Sequence, residues 1–459
     1  MKKSFIIILG LGLSLTAAAQ GLAPEQVQAI REAFATDKNA PALQNVLSHS
    51  ADIEALTVNS ENVNSVDDIF KYSVKPLPSC PDQHSSGRCW LFTSINYVRP
   101  LAIEKLRVKD FMFSPVYCSF WDLFEKCNTR LEEIIASALE EEDSRKVAYC
   151  FKNEIRDGGE WHNFINIGRK YGVVPQEVMP ETIHSNNTAN MRTILNRKLR
   201  KGGWELRELV RGGASAEEIH AAKVGVMKDI YRILALCLGE PPTEFEWTYK
   251  DIDGKMQTIS TTPQKFFEDM IPASYLDSRI LIMNDPARAY YKVYRTEGFR
   301  DVYEGEDCTY LNLPASAIKS MVLSSIKDGE AVYVCADWGK GRVLPQNVIS
   351  TANNDYEALF GMSFDMDKEA RVRTRYSSAA HVMLIDAVDT DEKDVPTKWR
   401  LFNTSHKCGA AVSLTFTDEW FDEYVFRIVV DRKYLDKKSL KALKGKTESY
   451  PLYIYEYMK

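Results

Sequence analysis

Along the chain the spacing of apolar residues changes character twice, and each change marks a different kind of structure. Residues 23–36 place apolar side chains at helical spacing, with Ile30 and Phe34 one turn apart, and predict an amphipathic helix. Polar sequence follows to about Asp68, and then Tyr72-Ser-Val-Lys-Pro-Leu-Pro-Ser-Cys-Pro is extended and punctuated by proline. The sharpest transition comes next, where Ser85-Ser86-Gly87-Arg88 runs straight into Cys89-Trp-Leu-Phe-Thr-Ser-Ile-Asn-Tyr. That pattern predicts a loop entering an apolar helix that continues to about Lys105. From about 110 to 290 the spacing is mainly helical. Ser215 and Glu218 form a capping box ahead of Ile219, Ala222, Val226, Ile230 and Ile233, and Gly239 with Pro241 and Pro242 stops that helix. Thr262-Pro263 starts another, with proline at its first position. From about Glu330 short apolar runs at 331–335, 381–388, 399–402 and 424–430, separated by turn residues, read as strands. The expectation is an α+β protein, helical first and strand-rich in its last third, with no internal repeat.

The first twenty residues follow a different logic. Lys2 and Lys3 precede the apolar run 5–15 and the small residues Thr16-Ala17-Ala18-Ala19, the pattern of a secretory signal peptide cleaved after Ala19. The run is too short to span a bilayer. No later stretch is long and apolar enough to do so, so no membrane anchor is expected. The mature chain is then expected to be exported, to a periplasmic or extracellular compartment. At 459 residues, 45% apolar and 27% charged, the chain has the make-up of a large globular protein. Its formal charge of −6 is a mild acidic excess, and no nucleic-acid partner is expected. Nine cysteines occur without CxxC pairs, so no structural metal is expected, and most of them read as buried small apolar residues.

One cysteine stands apart by position. A cysteine nucleophile reacts as the thiolate, and a helix N-terminus favours that anion through unpaired N–H groups and the helix dipole. Cys89 occupies the place where the Gly87-Arg88 loop meets the apolar helix. Gln83, six residues upstream, can offer a side-chain amide to a polarised carbonyl while the Cys89 N–H donates from the other side, an oxyanion hole. The thiolate also needs a proton partner. His381 begins an apolar strand after Ser378-Ala379-Ala380, and Asn403 ends the strand-like Trp399-Arg-Leu-Phe, so a hairpin brings amide against imidazole. His406 competes for that role, but its loop context favours the surface, and His84 is expected to point away.

The pattern Gln83-x-x-Ser86-Gly87-Arg88-Cys89-Trp90 resembles the bleomycin hydrolase/aminopeptidase C branch of the papain-like cysteine peptidases. Further likenesses follow in order: Phe120-Trp121-Asp122 with Glu125-Lys126, Asp157-Gly158-Gly159-Glu160-Trp161, Lys170-Tyr171-Gly172 through Met179-Pro-Glu-Thr182, Pro241-Pro242 with Trp247, and Trp420-Phe421-Asp422-Glu423-Tyr424-Val425. They cover about residues 65–440. The resemblance implies a papain-like fold: a helical lobe bearing Cys89, a β-rich lobe bearing His381 and Asn403, and a large helical insertion between them. On that frame 1–19 is the signal, 20–64 an N-terminal helical segment, 65–110 the cysteine lobe, 111–329 the insertion and the rest of the helical lobe, 330–440 the β-rich lobe, and 441–459 a C-terminal arm. It also implies peptide substrates, no cofactor, and a homohexamer whose active sites face an internal channel. Gly158, Gly159 and Trp161 would line the substrate cleft, and an arm in that cleft would limit cleavage to free N-termini.

Three features depart from the family pattern. The family's usual Asn-Ser-Trp-Gly is replaced by Asn403-Thr404-Ser405-His406, so the tryptophan that covers the Asn–His pair is either missing, which would leave a wetter pair, or supplied from elsewhere in the chain. The chain ends Tyr450-Pro-Leu-Tyr-Ile-Tyr-Glu-Tyr-Met-Lys rather than in small residues, and relatives are mostly intracellular. The leading expectation is a thiol aminopeptidase. An open cleft would instead give an endopeptidase or broader amidase, and a weakened Asn–His pair a binding protein on the same fold.

Overall fold

A computed structural model describes residues 21–49, 52–152, 154–343, 346–405 and 412–452. The expected signal segment, His406 and the end of the C-terminal arm lie outside them. The chain forms two compact units, one ending at Val58 and one running from Asn59. The first contains the helices Pro24–Ala35, Ala40–His49 and Ile53–Thr57, with Pro24 at the first helical position as its sequence favours.

In the second unit the loop-to-helix transition becomes the helix Cys89–Leu106, and behind it come Pro115–Ala136, Trp161–Tyr171, Ala189–Arg211 and Ala216–Leu238. Ser215 accepts from the Glu218 N–H and Glu218 accepts from the Ser215 N–H, so the capping box closes both ways before Gly239 ends the helix.

A mixed sheet carries the rest. Its centre runs, side by side, Arg279–Met283, Val425–Asp431, Val332–Ala336, His381–Thr390, Pro396–Phe402 and Ser413–Thr417, and these neighbours pair antiparallel. Alternation explains the nearly unbroken apolar sequences of the innermost strands, such as Val332–Ala336 and the first half of His381–Thr390. Val382 and Leu384 join the core beneath the helices, whereas Met383 and Ile385 join a second core on the opposite face. A strand buried on both faces needs apolar residues at every position.

The cysteine helix lies against this sheet and is tied to it by buried hydroxyls. Thr93 Oγ1 donates to the Val382 carbonyl at 3.1 Å, and Tyr97 Oη donates to the Val429 carbonyl at 3.3 Å. Thr93 is one turn beyond Cys89, and Val382 follows His381. One hydrogen bond therefore fixes the start of the helix relative to the start of the strand.

The expected boundaries need correction. The main run of the sheet begins at Arg279 rather than near 330, because Arg279–Met283, Lys292–Glu297 and Thr309–Asn312 are strands within 111–329, the stretch assigned to the insertion and helical lobe, and the short strand Tyr72–Ser73 joins the same sheet by pairing with His381–Thr390. A five-residue apolar run has no period long enough to separate strand from helix. The same stretch holds the hairpin Phe245–Lys250 with Met256–Thr261, whose alternating burial and Asp253-Gly254 turn are strand signals that the surrounding helices masked. Replacing Thr93 by Val removes the hydroxyl tie while keeping the side-chain shape. The variant is expected to lose about 1 kcal/mol of stability, read from its denaturant midpoint at unchanged slope.

Candidate active site

Cys89 is the first residue of its helix and is partly exposed. The preceding loop is clamped by charge and by close packing. Arg88 is buried, forms a bidentate pair with Glu181 at 3.0 and 2.8 Å, and donates from Nε to Ser86 Oγ at 3.1 Å. The Gly87 N–H donates to Asp157 Oδ2 at 2.8 Å, and the Trp90 indole N–H donates to the Asp157 carbonyl at 2.8 Å. Burial opposes ionisation of Asp157, but hydrogen bonds from Thr188 and Gly87 and the charge of Arg192 hold its carboxyl below the usual range. Arg88 with Glu181, and Gly87 with Asp157, join segments that in sequence were only separate landmarks.

Gln83 is buried beside this loop. The Thr404 hydroxyl donates to its Oε1 at 3.0 Å, and its Nε2 donates to the Ser86 carbonyl at 2.9 Å. The two contacts fix which end of the amide is oxygen and leave one Nε2 hydrogen uncommitted. Thr404 directly follows Asn403, so one residue links the oxyanion side of the site to the imidazole side.

His381 starts its strand, and its Nε2 donates to Asn403 Oδ1 at 2.9 Å, which leaves Nδ1 as the ring nitrogen able to accept a proton. The Asn403 amide is held in turn. Its Nδ2 donates to the Ser405 carbonyl at 2.6 Å, and the Cys80 thiol donates to its backbone carbonyl at 3.2 Å. Asn403 is fully buried and His381 only 8% exposed, so of the two expectations the wetter pair is corrected and a cover supplied from elsewhere holds. An aromatic group does pack on the imidazole, although not from the sequence after Asn403: the Trp338 ring centroid lies 5.2 Å from that of His381.

Dehydration sets the electrostatics. Burial pushes the Cys89 thiol up to about 11, aided by the charge of Asp157, while backbone hydrogen bonds from Val382 and Trp90 pull the other way. Burial likewise pushes His381 down to about 4 against the pull of its Asn403 hydrogen bond, with the nearby charge of Arg342 adding to the fall. Each charge is disfavoured alone. A proton moved from the thiol to the imidazole would make both together, and the closer the two groups stand the more their attraction would offset the lost hydration.

Gln83, Gly87, Cys89, Gly158, Gly159 and His381 border one cavity of about 760 Å³. Asn403 sits behind His381 rather than on the wall. Trp161 departs from expectation: it does not line this cavity but is buried against Tyr97 and Tyr333, because the helix that starts at Trp161 turns the ring into the core. Lys126 is a lining residue that the sequence did not suggest, and Leu452, from the stretch read as the C-terminal arm, lines the cavity as well. Lys126 Nζ donates to the Gly158 carbonyl at 2.6 Å and to Asp122 at 2.5 Å, fixing the Gly158 backbone from below. Among the described residues no cluster of three His, Cys, Asp or Glu could hold a metal ion.

A model of the Peptidase C1-like family matches residues 21–458. The chain belongs to that family. It is 35% identical to human bleomycin hydrolase over 439 residues, covering 93% of this chain and 96% of that protein. Aminopeptidase C of Lactobacillus delbrueckii subsp. lactis is 36% identical over 368 residues, 79% of this chain and 82% of the relative. The crystal structure of PepW from Lactobacillus rhamnosis HN001 superposes with a TM-score of 0.86 at 31% identity, covering 94% of this chain and 97% of that one. The α+β architecture described above is therefore the papain-like fold of a cysteine peptidase family.

The two cleft glycines differ in what a methyl group would meet. At Gly159 it would stand 2.7 Å from the Trp90 ring, whereas at Gly158 nothing lies within 4 Å. Gly159→Ala is expected to lose about 1–3 kcal/mol by displacing Trp90 from the start of the cysteine helix, and Gly158→Ala to keep the parent's thermal midpoint. Parallel melting curves compare them.

Proposed function

We propose that this protein is a cysteine aminopeptidase, with Cys89 as nucleophile, His381 as proton carrier, Asn403 orienting the imidazole, and Gln83 with the Cys89 N–H as oxyanion donors. The Cys89 thiolate attacks the carbonyl carbon of the first peptide bond, forming the S–C bond as the carbonyl oxygen takes up negative charge between the two donors. The His381 imidazolium gives its proton to the leaving amine as the C–N bond breaks. Water then cleaves the thioester with His381 as base, releasing the amino acid and restoring the thiol. Gly158 and Gly159 offer backbone to the substrate on the opposite wall.

The observation that carries the exopeptidase reading is Leu452. The strand Thr447–Pro451 pairs parallel with Lys292–Glu297 at one edge of the sheet, and Leu452, the next residue, borders the cavity that holds Cys89 and His381. Leu452 therefore puts the arm at the edge of the cleft, and an arm that continued into it would leave room for the first residue of a peptide but not for chain running through. The export signal read in residues 1–19 gives a periplasmic or extracellular location, and the family resemblance gives a homohexamer with inward-facing sites. Both belong to this proposal. No described helix is long and apolar enough to cross a membrane.

Aminoacyl-amide substrates with a free ammonium group should be hydrolysed, and the same substrates carrying an N-acetyl group should remain intact over the same time course. Cys89→Ala should abolish turnover. Equal cleavage of free and acetylated substrates would replace this reading with an endopeptidase or amidase. Undiminished turnover by Cys89→Ala would remove Cys89 from the chemistry.

A further inference from the structure

The loop that follows Val332–Ala336 is more firmly held than a surface connection requires. Ala336 is the register partner of His381, which places Trp338 two residues past the imidazole's own neighbour in the sheet. The Asp337 N–H donates to the Tyr424 carbonyl at 2.9 Å, and Ser377 Oγ donates to Asp337 Oδ2 at 2.7 Å. On the other side of the turn the Trp420 indole N–H donates to the Lys340 carbonyl at 2.8 Å. Bonds on both sides of Trp338 leave its backbone little freedom. The indole is half-buried, its ring centroid 5.2 Å from that of His381 at an interplanar angle of 52°, and the Arg342 guanidinium lies 4.7 Å from the same indole.

We propose that Trp338 is a positioning residue for His381, an indole wall that keeps water from the His381–Asn403 hydrogen bond and holds the imidazole plane toward Cys89. The proposal rests on the functional reading of His381 given above. The need for such a wall follows from the pair itself. A single hydrogen bond through Nε2 fixes one point of the ring and leaves rotation about that axis free. A second contact on the ring face removes that freedom, and a tilted aromatic pair at this distance supplies it. Water reaching Asn403 Oδ1 would compete for the Nε2 proton, whereas in a dry site the bond is stronger. When His381 carries its proton, the indole face is also a favourable neighbour for the cation. Arg342 stacked on the indole steadies the ring.

The test uses the full-length chain and two readouts. In a Cys89→Ala background, exchange of the His381 Nε2 proton with solvent is followed by NMR with and without Trp338→Ala. The expected result is exchange at least about tenfold faster, while the Trp399 indole proton, bonded to Asp418 at 3.0 Å within the same sheet, exchanges as before. In the otherwise unaltered enzyme, Trp338→Ala is expected to lower kcat about tenfold or more with KM held within about twofold, and Trp338→Phe to restore most of both properties. Unchanged exchange at His381 would overturn the proposal. So would faster exchange at Trp399 in step with His381, which marks general loosening, or a rise in KM alone, which marks a substrate contact. Should the parent hydrolyse no peptide, the functional reading fails, and the exchange measurement still decides what Trp338 does.

Discussion

A partly buried thiol and a buried imidazole that border one cavity are each penalised for carrying charge alone. Burial drives the proton onto Cys89 and off His381, so neither becomes reactive by itself near neutral pH. Only the transfer of one proton between them creates two charges whose attraction opposes the loss of hydration. That attraction falls off with distance, and its strength depends on excluding water. On the proposed reading, the relative placement of these two groups is the constraint that the surrounding structure serves.

The surrounding contacts read as a means of holding that geometry from several directions. Thr93 ties the helix that begins at Cys89 to the strand that begins at His381. Asp157 holds the loop before Cys89 through Gly87 and reaches the first helical turn through Trp90. The buried Arg88, paired with the partly exposed Glu181, anchors the same loop to the segment after Met179. A buried ion pair is a poor source of net stability, but breaking it strands a charge, which suits a part that must not move. On the imidazole side Asn403 is fixed by Ser405 and Cys80, and Thr404 carries that order across to Gln83.

Much of this site was legible in sequence because local rules produced it. A Gly-containing loop running into an apolar helix locates Cys89, and residues at the ends of two consecutive strands locate His381 and Asn403. The helix caps at Ser215 and Thr262 were readable for the same reason. What was not legible depends on contacts distant in sequence. The sheet edge from Arg279 to Asn312 consists of strands too short to show a period, and their character comes from their neighbours in the sheet. Trp161 follows two glycines of the cleft wall, yet the helix that starts there turns its ring into the core. The aromatic cover on His381 could not be found by reading past Asn403, because it comes from Trp338 on another strand connection. The missing tryptophan was visible, and the source of its replacement was not.

The central claim is that Cys89 owes its reactivity to His381, and alkylation of the thiol by iodoacetamide across pH tests it most directly. The parent protein should react near pH 6 much faster than glutathione does, because the ion pair keeps thiolate present well below the ordinary thiol range. In His381→Ala no imidazole remains to take the proton, burial keeps the thiol above its ordinary range, and its reaction at the same pH should fall at least about a hundredfold. Equal alkylation of the two proteins near pH 6, or a parent thiol no faster than glutathione, would contradict the account.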